Sequence, residues 1–200
     1  MTHLDAGAYL LRPFVPDDAP AFAAAVRESV SSVGRWMDWA HAGFSEQNAL
    51  DWFAACDAGR ADGSSHEFAI VSKVERRLVG GAGLNKFIQL HAFCNLGYWV
   101  RTSAQRQGAA SAAVAALARH AFQSLGQARV EIVVADGNAA SLAVARRSGA
   151  QHECLARRRL QLRGRAVDAH MFALIPEDFP DLPTHIAALR CAPGHTRSPA

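Results

Sequence analysis

The chain has 200 residues, half of them hydrophobic and a fifth charged, which is enough to bury the core of a single globular domain. A net charge of +3 and an isoelectric point near 8.9 suit an anionic ligand but are too mild to indicate nucleic-acid binding. The four cysteines form no CxxC pair, and neither a secretory signal nor a membrane-spanning apolar run is present, so we expect a soluble cytoplasmic protein without a metal site.

The first half of the chain predicts one strand, two helices and then three strands. AYLLRPF at 8–14 is the first strand, and Asp17 or Asp18 can cap a helix that extends to about Ser29. Ser45 is the predicted N-cap of a second helix, whose apolar residues recur at helical spacing: Ala49, Trp52, Phe53 and Cys56. HEFAIVSKV and RLVGGAGLNKFI predict an antiparallel hairpin, and CNLGYWV predicts a third strand beside it.

The second half alternates helices and strands. SAQRQGAASAAV at 103–114 opens a helix that ends at Gly126 and has one apolar face, formed by Ala110, Val114, Leu117 and Ala121. ARVEIVVA predicts a buried strand, and NAASLAVARRSGA predicts a short helix after it. A final pair of strands is predicted at 151–162 and 166–175, joined by the turn LRGR. We therefore predict one mixed α/β (α+β) domain over 1–176, with about six or seven strands and helices on both faces. Residues 177–200 are predicted to be a loosely held tail, which could include a short helix at THIAALRC.

The start of the helix at 103–114 has the chemistry of an anion site. The first N–H groups of a helix have no partner within it, and the helix dipole adds partial positive charge there. Gly108 would allow close approach of a ligand, while Arg106 can add charge and Ser111 a hydroxyl. The alternative is that the small residues merely let this helix pack tightly. No Walker A motif is present, and GGAG at 80–83 lies within a predicted strand, where bending or close packing explains it better than a dinucleotide site.

These residues resemble a known acyltransferase family. QRQGAA at 105–110 is similar to the [RQ]xxGx[GA] acetyl-coenzyme A signature of the GNAT (GCN5-related N-acetyltransferase) superfamily, in the expected order of strand, turn and helix. Further segments resemble its RimJ/RimL-type branch, the ribosomal-protein N-terminal acetyltransferases: RWMDWA at 35–40, LGYWV at 96–100, NAAS at 138–141 with the SGA that follows, and GRAVDAHMF at 164–172. The resemblance covers about residues 8–175 and implies the GNAT fold.

The resemblance implies acetyl-coenzyme A as the co-substrate, with no metal. The pyrophosphate would lie on the signature, formed by Gln105, Arg106, Gln107, Gly108, Ala109, Ala110 and Ser111. The pantetheine arm would lie between two parallel strands that separate, along the main chain of Trp99 and Val100. Arg146 and Arg147 could reach the 3′-phosphate.

The same resemblance suggests how the acetyl group is transferred. Ser141 is the implied proton donor to the leaving thiolate, although a local helix hydrogen bond would explain it equally well. Asn138 can cap its helix and, by resemblance, also face the pantetheine amide or the acceptor. Relatives often carry a glutamate where this chain has Asn95, and an amide cannot act as the base at neutral pH. Glu131, His91 and Glu67 remain candidate bases, although each is better explained as an ordinary strand or surface residue.

The acceptor is predicted less sharply than the donor. Since an α-amine has a pKa of about 7.7–8.0 and a lysine amine about 10.4, the missing carboxylate favours an α-amine, such as a protein N-terminus, or a water-relayed proton. Trp36 is the better candidate to wall the acceptor groove, although core packing is the alternative. Three alternatives stay open: a small amine as the acceptor, a non-catalytic module that binds acyl-coenzyme A, and a contact with RNA or an acidic protein at Arg157–Arg159. A homodimer is also possible from the sequence.

Overall fold

The computed structural model describes residues 3–182, through which one mixed sheet of eight strands runs. In chain order the strands are β1 Leu4–Ala6, β2 Tyr9–Arg12, β3 Ser65–Ser72, β4 Arg77–Ile88, β5 Phe93–Val100, β6 Arg129–Ala135, β7 Gln151–Leu162 and β8 Arg165–Leu174. Their order across the sheet is β1-β2-β3-β4-β5-β6-β8-β7. All neighbours are antiparallel except β5 and β6, which the predicted crossover helix joins in parallel.

Four α-helices within the described residues cover the two faces of the sheet, as predicted. They are α1 Ala19–Glu28, α2 Glu46–Asp62, α3 Ala109–Ser124 and α4 Ala139–Arg147. One apolar cluster joins α1 and α2 to the sheet around Phe22 and Phe53, and a second joins α3 and α4 to the opposite face around Leu117 and Phe172. Two buried layers therefore hold the sheet between them.

The parallel pair at the centre of the sheet is only partly formed. β5 and β6 pair over only three residues of each strand, Phe93–Asn95 with Arg129–Glu131. Their pairing ends at Asn95. From Leu96 onward β5 remains paired with β4 alone, while β6 remains paired with β8. The two strands thus separate towards the end of β5, which leads into the start of α3.

The prediction of six or seven strands is wrong, because the N-terminal segment forms a hairpin. β1 has only three residues, too few to show strand alternation, and Gly7 makes the turn to β2 with φ of +68°. Trp52 also differs from its predicted core position on α2, since its side chain is 42% exposed. Ala49, Phe53 and Cys56 on the same helix are buried as predicted.

The end of the described chain packs on α3. Phe179 and Leu182 are buried in the cluster around Leu117, and the guanidinium of Arg119 lies 4.8 Å from the centre of the Phe179 ring. Residues 176–182 thus extend the core, although the sequence places them at or within a loosely held tail. The predicted helix at THIAALRC lies outside the described residues. Within residues 3–182, no helix is long and apolar enough to cross a membrane.

Candidate functional site

The loop before α3 presents unpaired backbone donors. Arg106 and Gly108 both have left-handed backbone, with φ of +63° and +86°. The first intrahelical hydrogen bond runs from Ala112 N–H to Gly108 O, and no described residue accepts a hydrogen bond from the N–H groups of 106–111. A Cβ placed on Gly108 would meet nothing within 4 Å, so the space above it is open. Unpaired N–H groups at a helix start can bind an anion, which is the role that its sequence leads us to expect of this loop.

Hydrogen bonds from distant segments hold this loop. The Tyr9 hydroxyl on β2 donates to Gln107 O at 2.9 Å, and Gln105 Nε2 donates to Val100 O at 3.1 Å. At the end of α1, Glu28 accepts from Ser103 N–H at 2.6 Å and from the Arg101 guanidinium. We call this last group the Glu28 clamp. These contacts within the chain hold the loop in place and would reduce the entropy lost when it binds a ligand.

A cavity of about 90 Å³, the interstrand cleft, lies where β5 and β6 separate. Its walls are formed by Trp36, Met37, Leu96, Gly97, Tyr98, Ile132, Val133, Ala135, Asn138, Ser141 and Leu160. Asn138 caps α4, its Oδ1 accepting from Ser141 N–H at 3.2 Å. The cleft thus brings the predicted Asn138 and Ser141 to the gap in the sheet.

Tyr98 reaches Ser141 across the cleft. The two hydroxyl oxygens are 2.9 Å apart, and the Tyr98 hydroxyl is also 3.1 Å from Ser141 O. Burial raises the pKa of Tyr98 to about 12, against a smaller lowering by the Ser141 hydrogen bond, so the phenol stays protonated at neutral pH. The sequence offers Ser141 alone for proton donation, whereas the fold adds a phenol from β5, 43 residues away in the chain.

A larger cavity of about 540 Å³ lies between the sheet and the α1–α2 face. We call it the aromatic cavity, because its apolar wall includes Phe14, Phe22, Trp39, Phe44, Trp52 and Trp99. Trp39 and Trp52 are 40% and 42% exposed, so they form a rim open to solvent. The cavity shares Met37, Gly97 and Tyr98 with the interstrand cleft, so the two spaces meet at β5.

Polar side chains stand at the sheet side of the aromatic cavity. Glu67 and Asn85 line it, and Asn85 Nδ2 donates to Glu67 Oε1 at 3.1 Å. Asn95 lies behind them and donates from Nδ2 to Asn85 Oδ1 at 2.9 Å. Burial raises the pKa of Glu67, against smaller lowering effects of the Asn85 hydrogen bond and the Arg60 charge. The cavity thus contains one carboxylate that is costly to ionise.

The structure places three predicted site residues differently with respect to the two spaces. Trp36 lines the interstrand cleft instead of the aromatic cavity, where Trp39 stands in its place. The Trp99 side chain faces α1 and lines the aromatic cavity, and the cleft lining on β5 ends at Tyr98. Asn95 lines neither space and reaches the aromatic cavity only through Asn85.

The other candidate bases lie away from both cavities. Glu131 is ion-paired with Arg129 at 3.1 Å, and His91 is exposed in the turn between β4 and β5. Arg157–Arg159 are exposed on β7, which is an edge strand. Among residues 3–182, no group of three or more His, Cys, Asp or Glu side chains could hold a metal ion.

Comparison with known proteins links these features to one family. The model of the GNAT acetyltransferase domain matches residues 9–151. The N-acetyltransferase p20 of Bacillus licheniformis, itself uncharacterized, is 29% identical over 118 residues, which cover 59% of this chain and 66% of that protein.

Two solved structures share the fold over most of their length. One is provisionally assigned as a ribosomal-protein-serine acetyltransferase from Vibrio cholerae, with a TM-score of 0.78, 30% identity, and coverage of 88% of this chain and 98% of that one. The other is RimJ from Mycobacterium smegmatis in complex with coenzyme A disulfide, with a TM-score of 0.79, 26% identity, and coverage of 90% and 88%.

Proposed function

Because the chain belongs to the GNAT acetyltransferase family, we propose that it transfers acetyl from acetyl-coenzyme A to the α-amine of a protein or peptide N-terminus. The observation that carries this proposal is that the interstrand cleft and the aromatic cavity meet at Gly97 and Tyr98. Donor and acceptor can therefore be bound together, as direct transfer in a ternary complex requires.

The loop before α3 fits the pyrophosphate of coenzyme A. The N–H groups of 106–111 are unpaired within the described chain, and the open space above Gly108 admits a phosphate at backbone distance. The pantetheine arm would enter the interstrand cleft beside Leu96–Tyr98, with Trp99 and Val100 contributing main chain at its entrance. Asn138 would face its amide.

Bound acetyl-coenzyme A would supply an electrophilic thioester carbonyl and a thiolate leaving group. The residues of this chain orient the reactants and handle protons. Ser141 Oγ stands in the cleft as proton donor to the thiolate, and Tyr98 supports it because its protonated phenol can hydrogen-bond to Ser141. This pair would act where many GNAT enzymes use a single tyrosine.

The aromatic cavity suits an amine carried on a short chain. Its volume lies within the range of about 300–1,000 Å³ typical of ligand sites, and its open rim at Trp39 and Trp52 leaves room for a longer peptide to continue into solvent. The neighbour from Vibrio cholerae, by its name as a ribosomal-protein-serine acetyltransferase, favours a ribosomal protein as the acceptor. A small free amine is the second candidate, because the cavity is also deep enough to enclose one.

The test is to measure thiol release from acetyl-coenzyme A with matched acceptors. The panel comprises peptides with free N-termini, the same peptides with blocked N-termini and an internal lysine, and small amines. Mass spectrometry then locates the acetyl group. We expect turnover with free N-termini and none with blocked ones; turnover confined to lysine peptides or small amines would contradict the α-amine assignment.

A further inference from the structure

Glu67 lies on a row of residues that leads to the meeting point of the two cavities. The strand register places Glu67 on β3 opposite Gly83 on β4, and Gly83 opposite Gly97 on β5. Only Glu67 has a side chain in this row. Neighbouring strands are about 4.8 Å apart, so a carboxylate that reaches over Gly83 is one strand spacing from Gly97.

The structure shows that the Glu67 carboxylate does reach over Gly83. A Cβ at Gly83 would lie 1.9 Å from Glu67 Oε2 and 2.2 Å from its Cδ, which are impossible distances. The glycine therefore makes the space that the carboxylate occupies. This gives a specific role to one glycine of GGAG, a segment that the sequence explains only as bending or close packing.

Asn85 and Asn95 fix the orientation of this carboxylate. Asn85 Oδ1 accepts from Asn95, so its amide nitrogen is directed at Glu67 Oε1. Glu67 Oε2 has no hydrogen-bond partner among the described residues. One oxygen is thus held by the amides, while the other is left for a ligand in the aromatic cavity.

The charges around Glu67 are few. Arg60 on α2 donates to the backbone oxygen of Glu67 rather than to its carboxylate. Among residues 3–182, Asp51, also on α2, is the other carboxylate that lines the cavity, and no lysine or arginine of this range lines it. An ammonium group that enters would therefore meet no other cation on the described wall of the cavity, although the nearby Arg60 charge already favours the ionised form of Glu67.

We propose that Glu67 binds the acceptor ammonium and takes its proton, serving as the general base that Asn95 cannot be. The inference rests on the proposed acetyl transfer to an amine. One proton passes from the ammonium nitrogen to Glu67 Oε2, leaving a neutral amine and a neutral carboxyl group, and Glu67 later returns it to solvent. The nitrogen loses its second proton to solvent as it forms its bond to the acetyl carbon and the carbon–sulfur bond breaks. Ser141 gives its hydroxyl proton to the leaving thiolate and regains one from solvent.

This assignment also bears on the choice of amine. Burial raises the pKa of Glu67 towards that of an α-amine, which lies near 7.7–8.0, whereas a lysine amine is near 10.4. Proton transfer to the carboxylate is therefore less unfavourable from an α-amine. Asn95 serves as a positioning residue, because it acts on Glu67 only through Asn85.

The experiment compares Glu67→Gln with Glu131→Gln across pH. The second variant removes a partly buried carboxylate of the same sheet that lines neither cavity. For Glu67→Gln we expect kcat/KM to fall about 100- to 1,000-fold at neutral pH and to recover partly above the pKa of the amine. Glu131→Gln should retain the wild-type pH profile. Coenzyme A affinity, measured by calorimetry without amine, should be unchanged in both.

A readout without substrate follows the carboxyl group itself. The protonated-carboxyl infrared band of the free protein should persist to higher pH in wild type than in Glu67→Gln. Gly83→Ala is a second variant, because its Cβ would displace the carboxylate without removing it; it should raise the KM of the amine and leave coenzyme A affinity intact.

The two proposals can fail separately. If wild type acetylates N-terminal peptides and Glu67→Gln does so within about threefold at every pH, Glu67 is not the base and the proposed function stands. If wild type accepts only small amines, the α-amine assignment fails, and the same variants are tested with those amines. Loss of coenzyme A binding in Glu67→Gln, or an equal loss of rate at every pH, would mean a structural role and would overturn the inference.

Discussion

The Glu28 clamp should stabilise the fold through one carboxylate, which Glu28→Gln tests. Burial acts to raise the pKa of Glu28, but hydrogen bonds from Arg101 and Ser103 outweigh it and lower the pKa from 4.5 to about 2. At about 1.36 kcal/mol per pH unit, this difference corresponds to roughly 3.4 kcal/mol of stability at neutral pH. Because the Glu28 side chain is 28% exposed, solvent screening should reduce the contribution to about 1–2 kcal/mol.

The pH dependence has a definite sign. A carboxylate with a lowered pKa contributes its full stability above its unfolded value near 4.5 and loses it as the pH falls towards about 2. The free energy of unfolding, from urea titration followed by circular dichroism, should therefore differ between wild type and Glu28→Gln at neutral pH. At about pH 3 the difference should be half as large or less.

Glu75→Gln is the matched control for the clamp. Glu75 is ion-paired with Arg77, but both side chains are solvent-exposed, so the free energy of unfolding should not change measurably. The Glu28→Gln protein should also bind coenzyme A more weakly, because Ser103 leads into the loop before α3. Equal unfolding free energies for wild type and Glu28→Gln at neutral pH, or a difference that does not shrink in acid, would refute this account.

Two further predictions concern the proposed donor site. Gly108→Val should raise the Kd of coenzyme A at least tenfold, because a branched side chain would fill the open space above the loop. Gly126→Val is the control: it introduces the same left-handed backbone strain of about 1–2 kcal/mol and should leave the Kd unchanged. Calorimetry would decide, and equal Kd values would argue against phosphate contact at Gly108. Ser141→Ala should lower kcat about 10- to 100-fold, with a coenzyme A affinity within twofold of that of the wild type. Ser148→Ala, at the C-terminal end of the same helix α4, should leave kcat unchanged, because the Ser148 hydroxyl donates to Val144 O. An unchanged kcat in Ser141→Ala would remove it as proton donor.

The sequence predicts the elements whose signals are local. Ser45 begins α2 because its own hydroxyl accepts from Asn48 N–H, and the valine and isoleucine pattern of β6 specifies a buried strand. The loop before α3 is predicted for the same reason, since Gly108 and the helix start supply its chemistry within a few residues.

The rest depends on contacts between distant segments. Ser141 meets Tyr98 only because β5 and β6 separate, and no spacing in the chain encodes that gap. Glu67 appears as an ordinary strand residue until the register places Gly83 beside it. Trp36 and Trp39 are only three positions apart, so the turn after α1 alone decides which tryptophan faces which cavity.

The hydrogen bond from Tyr9 to Gln107 has a consequence for folding kinetics. It joins residues 98 positions apart, and closing so long a loop is slow relative to local helix and hairpin formation. The loop before α3 can therefore reach its final geometry only after β2 has docked at the far side of the sheet. During refolding, coenzyme A binding should therefore recover later than the helical circular dichroism signal. The appearance of coenzyme A binding would then report when the last part of the fold has formed.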